Sequence, residues 1–228
     1  MRRVCDGAVN SRVSTGWRVT NNSLSGHLRS IEAPGAQAQI ERVPLVLAVA
    51  LVTIRVYNYA AVSPAELAAA RAAADQIFQD TGISLQWVSC RVPNSPEGDT
   101  CTESLRTTGE FILRLQSSAP TGSQRHVALG SSVIDRSAGG GVLITIDPAQ
   151  VHNVAWQSGT APCTLLGRAI AHELGHMLIG TNEHADHGLM RALWSQAELR
   201  QDHDTDWHFS ADEVEVMRKG VTTRQLGN

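Results

Sequence analysis

The stretch Thr164–Met190, TLLGRAIAHELGHMLIGTNEHADHGLM, organises the chain, because it contains His172-Glu173-Leu174-Gly175-His176. Residues four apart share one face of an α-helix, so His172 and His176 can offer two imidazoles to a single metal ion. Glu173 is displaced around the helix toward a water on that ion, which is the arrangement of a hydrolytic zinc site. Upstream, Leu165, Leu166, Ala169 and Ile170 lead into the motif, and Leu174, Met177 and Leu178 continue an apolar stripe at helical spacing. The stripe predicts a helix that buries one side and turns its histidines toward a cleft. Gly180 supplies the stop, and His184, His187 and Gly188-Leu189-Met190 follow within a short loop.

The chain has 228 residues, 42% hydrophobic and 18% charged, with a net charge of −3. It can therefore bury a core, and it lacks the clustered basic excess that a nucleic-acid partner would require. Residues 1–50 read as a leader, disordered or signal-like, and residues 51–228 as the domain that carries the metal site. Val43–Ile54, VPLVLAVALVTI, is the most apolar run but is too short to span a bilayer as a helix. Either it ends a secretory signal at Ala48-Val49-Ala50 or it begins the first strand. Cys90 and Cys101 flank a polar loop that a disulfide would close, as suits an exported chain. Cys163 has no evident partner other than Cys5.

From Leu51 the pattern becomes regular. Val52–Tyr59 alternates as a strand, and Ser63-Pro64-Ala65-Glu66 opens a helix to about Asp80 as a capping box, with Ala68, Ala72, Ile77 and Phe78 on its expected buried face. Ile83–Ser89 is a second strand, which gives a β-α-β unit with parallel pairing. Glu110–Gln116, His126–Ile134 and Val142–Ile146 read as further strands, the last ended by Asp147-Pro148. Ser195 caps a short helix through Gln201, and Ser210-Ala211-Asp212-Glu213 opens a last helix through about Lys219 with Val214 and Met217 inward. His203 and His208 read as exposed loop residues. The fold class is α+β: a twisted, mixed but largely parallel sheet packed against the helix of the H-E-x-x-H motif.

With Gly180, His184 and Met190 following it, the motif resembles the metzincin zinc endopeptidases, most of all their matrixin-like branch. The resemblance implies a zincin-like fold, a Zn²⁺ ion, a third histidine ligand after the glycine, and Met190 as a methionine turn that packs beneath the metal without binding it. Motif similarity covers about Ala171–Leu193, and the spacing is altered. Gly180 lies four residues after His176 and His184 four after Gly180, where the family has three and three, so a strict count places the third ligand at Asn182.

A catalytic zinc needs three protein ligands and an open position. His172 and His176 are two of them, and His184 is the expected third, with His187 or an acid such as Glu198 as alternatives. Glu198 in Glu198-Leu199-Arg200-Gln201-Asp202 resembles the third ligand of the gluzincin peptidases. The implied activity is peptide hydrolysis with Glu173 as general base, taking the proton of the attacking water and returning it to the leaving amine. Peptide or protein is the expected partner, and an extended substrate would pair with an exposed sheet edge, for which His126–Ile134 is the candidate. The competing expectation is a non-catalytic zinc-binding protein on a zincin-like scaffold. Such a protein would have no need of Glu173 and would close its site with a fourth ligand.

Overall fold

The computed structural model describes residues 50–91, 101, 109–117, 128–134 and 142–226. In chain order the elements are β1 (Ala50–Asn58), α1 (Pro64–Gln79), β2 (Ile83–Cys90), β3 (Glu110–Leu115), β4 (Gly130–Val133), β5 (Leu143–Ile146), α2 (Pro148–Ser158), α3 (Pro162–Ile179), α4 (Gln196–Gln201) and α5 (Ala211–Leu226), with a 3-10 turn at Asp204–Trp207. The strands form one sheet in the order β2-β1-β3-β5-β4. β1 runs parallel to β2 and β3, β3 runs parallel to β5, and β4 at the edge is antiparallel to β5. This is the expected α+β class with a mixed, mostly parallel sheet.

Alternation along the strands sets the buried face. Val52, Ile54 and Val56 of β1, Phe111, Leu113 and Leu115 of β3, and Ile144 and Ile146 of β5 are all buried in one apolar cluster with Leu165, Leu166, Ile170 and Leu174 of α3. α3 exceeds its expected one-sided burial, since every residue from Leu165 to Leu178 is buried. β1 takes in the end of the apolar run from Ala50, and the remainder of that run lies outside the described residues.

Several expectations shift in register. The buried face of α1 comprises Ala70, Ala74, Ile77 and Phe78, whereas Ala68 and Ala72 are exposed. In an alanine-rich helix every face is similarly apolar, so the large residues at its end set the phase. β4 is confined to Gly130–Val133, with His126 outside the described residues. α2 was not anticipated: Asp147-Pro148 does not merely end β5, because the Asp147 carboxylate accepts from the amides of Ala149 and Gln150 and Pro148 opens the helix. α5 continues past Lys219 to Leu226. Gly220 does not stop it, because a β-carbon there would lie 2.3 Å from the Leu178 carbonyl oxygen; the glycine lets α5 approach α3. Arg218 Nε donates to the Thr81 carbonyl at 2.6 Å and Arg224 Nη2 to the Met177 carbonyl at 3.1 Å, which fastens α5 to the rest.

Cys90 and Cys101 form a disulfide with Cα atoms 5.5 Å apart. Cys163 is also disulfide-bonded, and Cys5 lies outside the described residues. Among the described residues no helix is long and apolar enough to cross a membrane.

Candidate metal centre

α3 brings His172 and His176 to one face, as their spacing requires, and ends at Gly180 in the left-handed region, φ 79°. The chain then turns back and sets His184 beside them. His172 Nε2 and His176 Nε2 are 3.0 Å apart, and His176 Nε2 and His184 Nε2 are 3.3 Å apart. Among the described residues these three form the only group of three or more possible metal donors, with donor atoms all within 4.8 Å of one another. Tetrahedral zinc with imidazole nitrogens at roughly 2.0–2.1 Å would hold them about 3.3–3.4 Å apart, so the donor set fits that ion after small adjustments.

The outer nitrogens support the same conclusion. His172 Nδ1 contacts the Leu189 carbonyl at 2.9 Å, and His176 Nδ1 contacts the Thr181 carbonyl at 2.8 Å. A carbonyl only accepts, so each Nδ1 carries the proton and each Nε2 presents a lone pair. Two facing lone pairs need a cation between them. A proton is disfavoured, because burial pushes His172 down to about 4, against the pull of the Leu189 carbonyl and with the help of His176 and His184. Burial likewise lowers His176. A metal ion is a cation that this donor set could hold.

Glu173 is the neighbouring acid, 7% exposed. Burial raises its carboxyl to about 7, while a hydrogen bond from the Ser132 hydroxyl of β4 acts the other way. A dication among the imidazoles would draw it back down. The site opens on a cavity of about 700 Å³ lined by Glu173, the three histidines, Gly130, Ser131 and Ser132 of the edge strand, Val154 and Gln157 of α2, and Leu193, Trp194 and Leu199.

The structure separates the other candidates from this cluster. His187 is exposed and stands outside the triad. Glu198 pairs with Arg191 and accepts from the Ser195 amide at 2.7 Å as the returning half of a capping box. Met190 is buried under α3: a β-carbon on Gly175 would lie 2.6 Å from its Sδ, so only glycine admits the methionine there. His208 is near Asp80 and Asp204 at 3.9 and 3.5 Å, away from the cluster. Asn182, the counted third-ligand position, lines the cavity, and its neutral amide is a poor zinc donor beside the imidazole of His184.

Sequence reasoning missed Ser132, Trp194 and the α2 wall. It also missed an anchor behind the site. Arg168 is 7% exposed, pairs with Asp202 and stacks 3.8 Å over the Trp207 ring. A buried guanidinium without partners would cost several kcal/mol. The ion pair and the aromatic face offset that cost and tie α3 to the segment after α4.

No protein-family model matches the chain, and no curated protein matches it. Solved structures that are similar include an archaemetzincin from Methanopyrus kandleri, 11% identical with a TM-score of 0.47, covering 78% of this chain and 99% of that one. Another is metalloproteinase-II from Bacteroides fragilis, 14% identical with a TM-score of 0.48, covering 76% and 54%. At such scores and identities the likeness decides nothing about this chain, whose chemistry rests on its own residues.

Proposed function

We propose that this chain is a zinc-dependent endopeptidase of metzincin-like, matrixin-like type, in which His172, His176 and His184 hold the ion and Glu173 is the general base. The observation that carries this is the convergence of three imidazole Nε2 atoms beside a buried carboxylate at the mouth of a large cavity. The ion would supply Lewis acidity and an activated water. Glu173 would take a proton from the attacking water and return it to the leaving amine, a task open to a carboxylate that faces the cavity beside the imidazoles. Ser132 restrains the same carboxylate. β4, at the sheet edge, offers main-chain groups to an extended peptide, and the apolar cavity walls, Val154, Leu193 and Leu199, receive a side chain. Met190 supports the site from below.

A structural zinc site would close with a fourth protein ligand, whereas Glu173 faces a cavity and is not among the grouped donors. The gluzincin alternative is weakened by the engagement of Glu198 with Arg191 and Ser195. The Cys90–Cys101 disulfide supports export. The test compares zinc content and peptide-library cleavage for the wild-type chain and Glu173→Gln, with and without chelator. The expected outcome is equal zinc, cleavage by the wild type only, and loss of that cleavage on chelation. Zinc binding without cleavage in either protein would leave only a zinc-binding protein.

A further inference from the structure

Trp194 is the large aromatic side chain that meets both the metal cluster and the cavity. Its ring stands edge-on to His172, with centroids 5.5 Å apart and planes at 87°, and it forms part of the cavity wall. Its indole Nε1 donates to the Leu189 carbonyl at 3.2 Å, the same oxygen that holds His172 Nδ1 at 2.9 Å. A carbonyl oxygen has two lone pairs and can satisfy both donors. On its far side Trp194 abuts Trp207 edge-on at 5.5 Å, and Trp207 is buried under Arg168.

The consequence follows from how an imidazole ligand is aimed. The direction of the Nδ1 bond fixes the ring plane and therefore where Nε2 points. The carbonyl of Leu189 belongs to a loop, and a loop carbonyl held by one donor can pivot. A second donor, carried on a ring packed against a buried tryptophan, restricts that pivot. We propose that Trp194 is a positioning residue for His172: by sharing the Leu189 carbonyl it holds the imidazole in its metal-binding orientation while its ring serves as cavity wall. Nothing in the motif or its spacing assigns this role. It rests on His172 being a metal ligand, as proposed above, and does not require that the site cleave peptides.

The test uses the full chain and zinc itself. Trp194→Phe keeps an aromatic ring and removes the donor, and Trp156→Phe, the same exchange at an exposed side chain of α2, serves as the control. Zinc affinity is measured by competition with a chromophoric chelator, the absorption bands of the cobalt(II)-loaded protein are recorded, and thermal unfolding is followed in excess chelator. Trp194→Phe should weaken zinc binding about tenfold and shift the cobalt bands, with the unfolding temperature in chelator unchanged, and Trp156→Phe should match the wild type. Wild-type affinity and an unchanged cobalt spectrum in Trp194→Phe would overturn the proposal. So would a fall in chelator stability large enough to account for the lost affinity. Should the variant fail to fold, hydrogen exchange of the Trp194 indole N–H in the zinc-loaded wild type decides. Slower exchange than at Trp156, which is 84% exposed, is expected, and equal exchange overturns the proposal. A wild type that binds zinc but cleaves nothing sinks only the peptidase function, and one that binds no zinc tightly sinks both.

Discussion

Gly175→Ala should destabilise the protein and loosen its grip on zinc together, although a helix interior ordinarily favours alanine. The added β-carbon would lie 2.6 Å from Met190 Sδ and 2.7 Å from Phe209 Cε1. Such contacts are comfortable at about 3.5–4.0 Å, so both partners must retreat by roughly 1 Å. Neither has room: Met190 is 1% exposed, and Phe209 is locked edge-on against Phe78 at 5.2 Å. Overpacking of this kind costs about 1–3 kcal/mol, against a helix-propensity gain of about 0.5–1 kcal/mol. With two clashes and no room for either partner the upper part of that cost applies, so the net loss is about 1–2.5 kcal/mol, or roughly 2–10 °C in Tm for a domain of this size. Because Met190 follows Leu189, whose carbonyl holds His172, its displacement should also weaken zinc binding by about tenfold.

The assay is thermal unfolding by circular dichroism in chelator, followed by zinc competition, in a double-mutant cycle with Met190→Ala. Removing the thioether first should relieve the contact with sulfur and leave the one with Phe209, so Gly175→Ala should cost less in the Met190→Ala background, by a coupling of about 1 kcal/mol. A Gly175→Ala protein that melts higher than the wild type and binds zinc equally would refute the reasoning. It would mean that propensity wins and that the helix and the methionine are not in tight contact.

Three further outcomes are expected. His184→Ala should weaken zinc binding by roughly a hundredfold or more, beyond what the loss of a supporting partner costs, while His187→Ala and Glu198→Ala bind as the wild type does; chelator competition on the three variants checks this, and the reverse order would reassign the third ligand. In metal-free protein the folded state holds the Glu173 proton up to about 7 against a reference of 4.5. At this group the folded state therefore binds more protons than the unfolded chain between those values, a contribution that falls by on the order of 3 kcal/mol as pH rises through that window, while His172, held down to about 4 against 6.5, contributes in the opposite sense; the stability difference between the wild type and Glu173→Gln, from urea melts in chelator, should fall as pH rises through the window. Opening the Cys90–Cys101 loop by substituting both cysteines should cost about 3 kcal/mol, read as a lower urea midpoint with zinc affinity unaffected.

What the sequence makes legible here is what depends on neighbours along the chain. The histidines of α3, its stop at Gly180 and the caps at Ser63, Ser195 and Ser210 are local relations, and they recur in the structure. α2 was hidden because Asp147-Pro148 ends a strand and opens a helix with the same two residues, and Val151, Val154 and Ala155 make only a thin stripe. The phase of α1 was hidden because alanine looks alike on every face. Ser132 against Glu173, and Trp194 sharing a carbonyl with His172, are contacts between distant segments that no spacing announces. These are the relations that turn two ligands and an acid into a site.

The altered loop shows why counting residues misleads and local bonds do not. Directly after Gly180, the Thr181 carbonyl returns to His176 Nδ1, which keeps the chain against the helix. The Thr181 hydroxyl then accepts from the Glu183 amide at 3.1 Å and bends the chain across the cleft. The Ala185 amide donates to the Met190 carbonyl at 2.9 Å, and Ala185 bridges to Arg191, which clamps the excursion shut. His184 sits immediately before that clamp and is held at the imidazole pair, whereas His187 is carried out in the clamped excursion and exposed. The counted position, Asn182, falls within the bend. The place of His184 is therefore set by where the chain is pinned to α3 and to Met190.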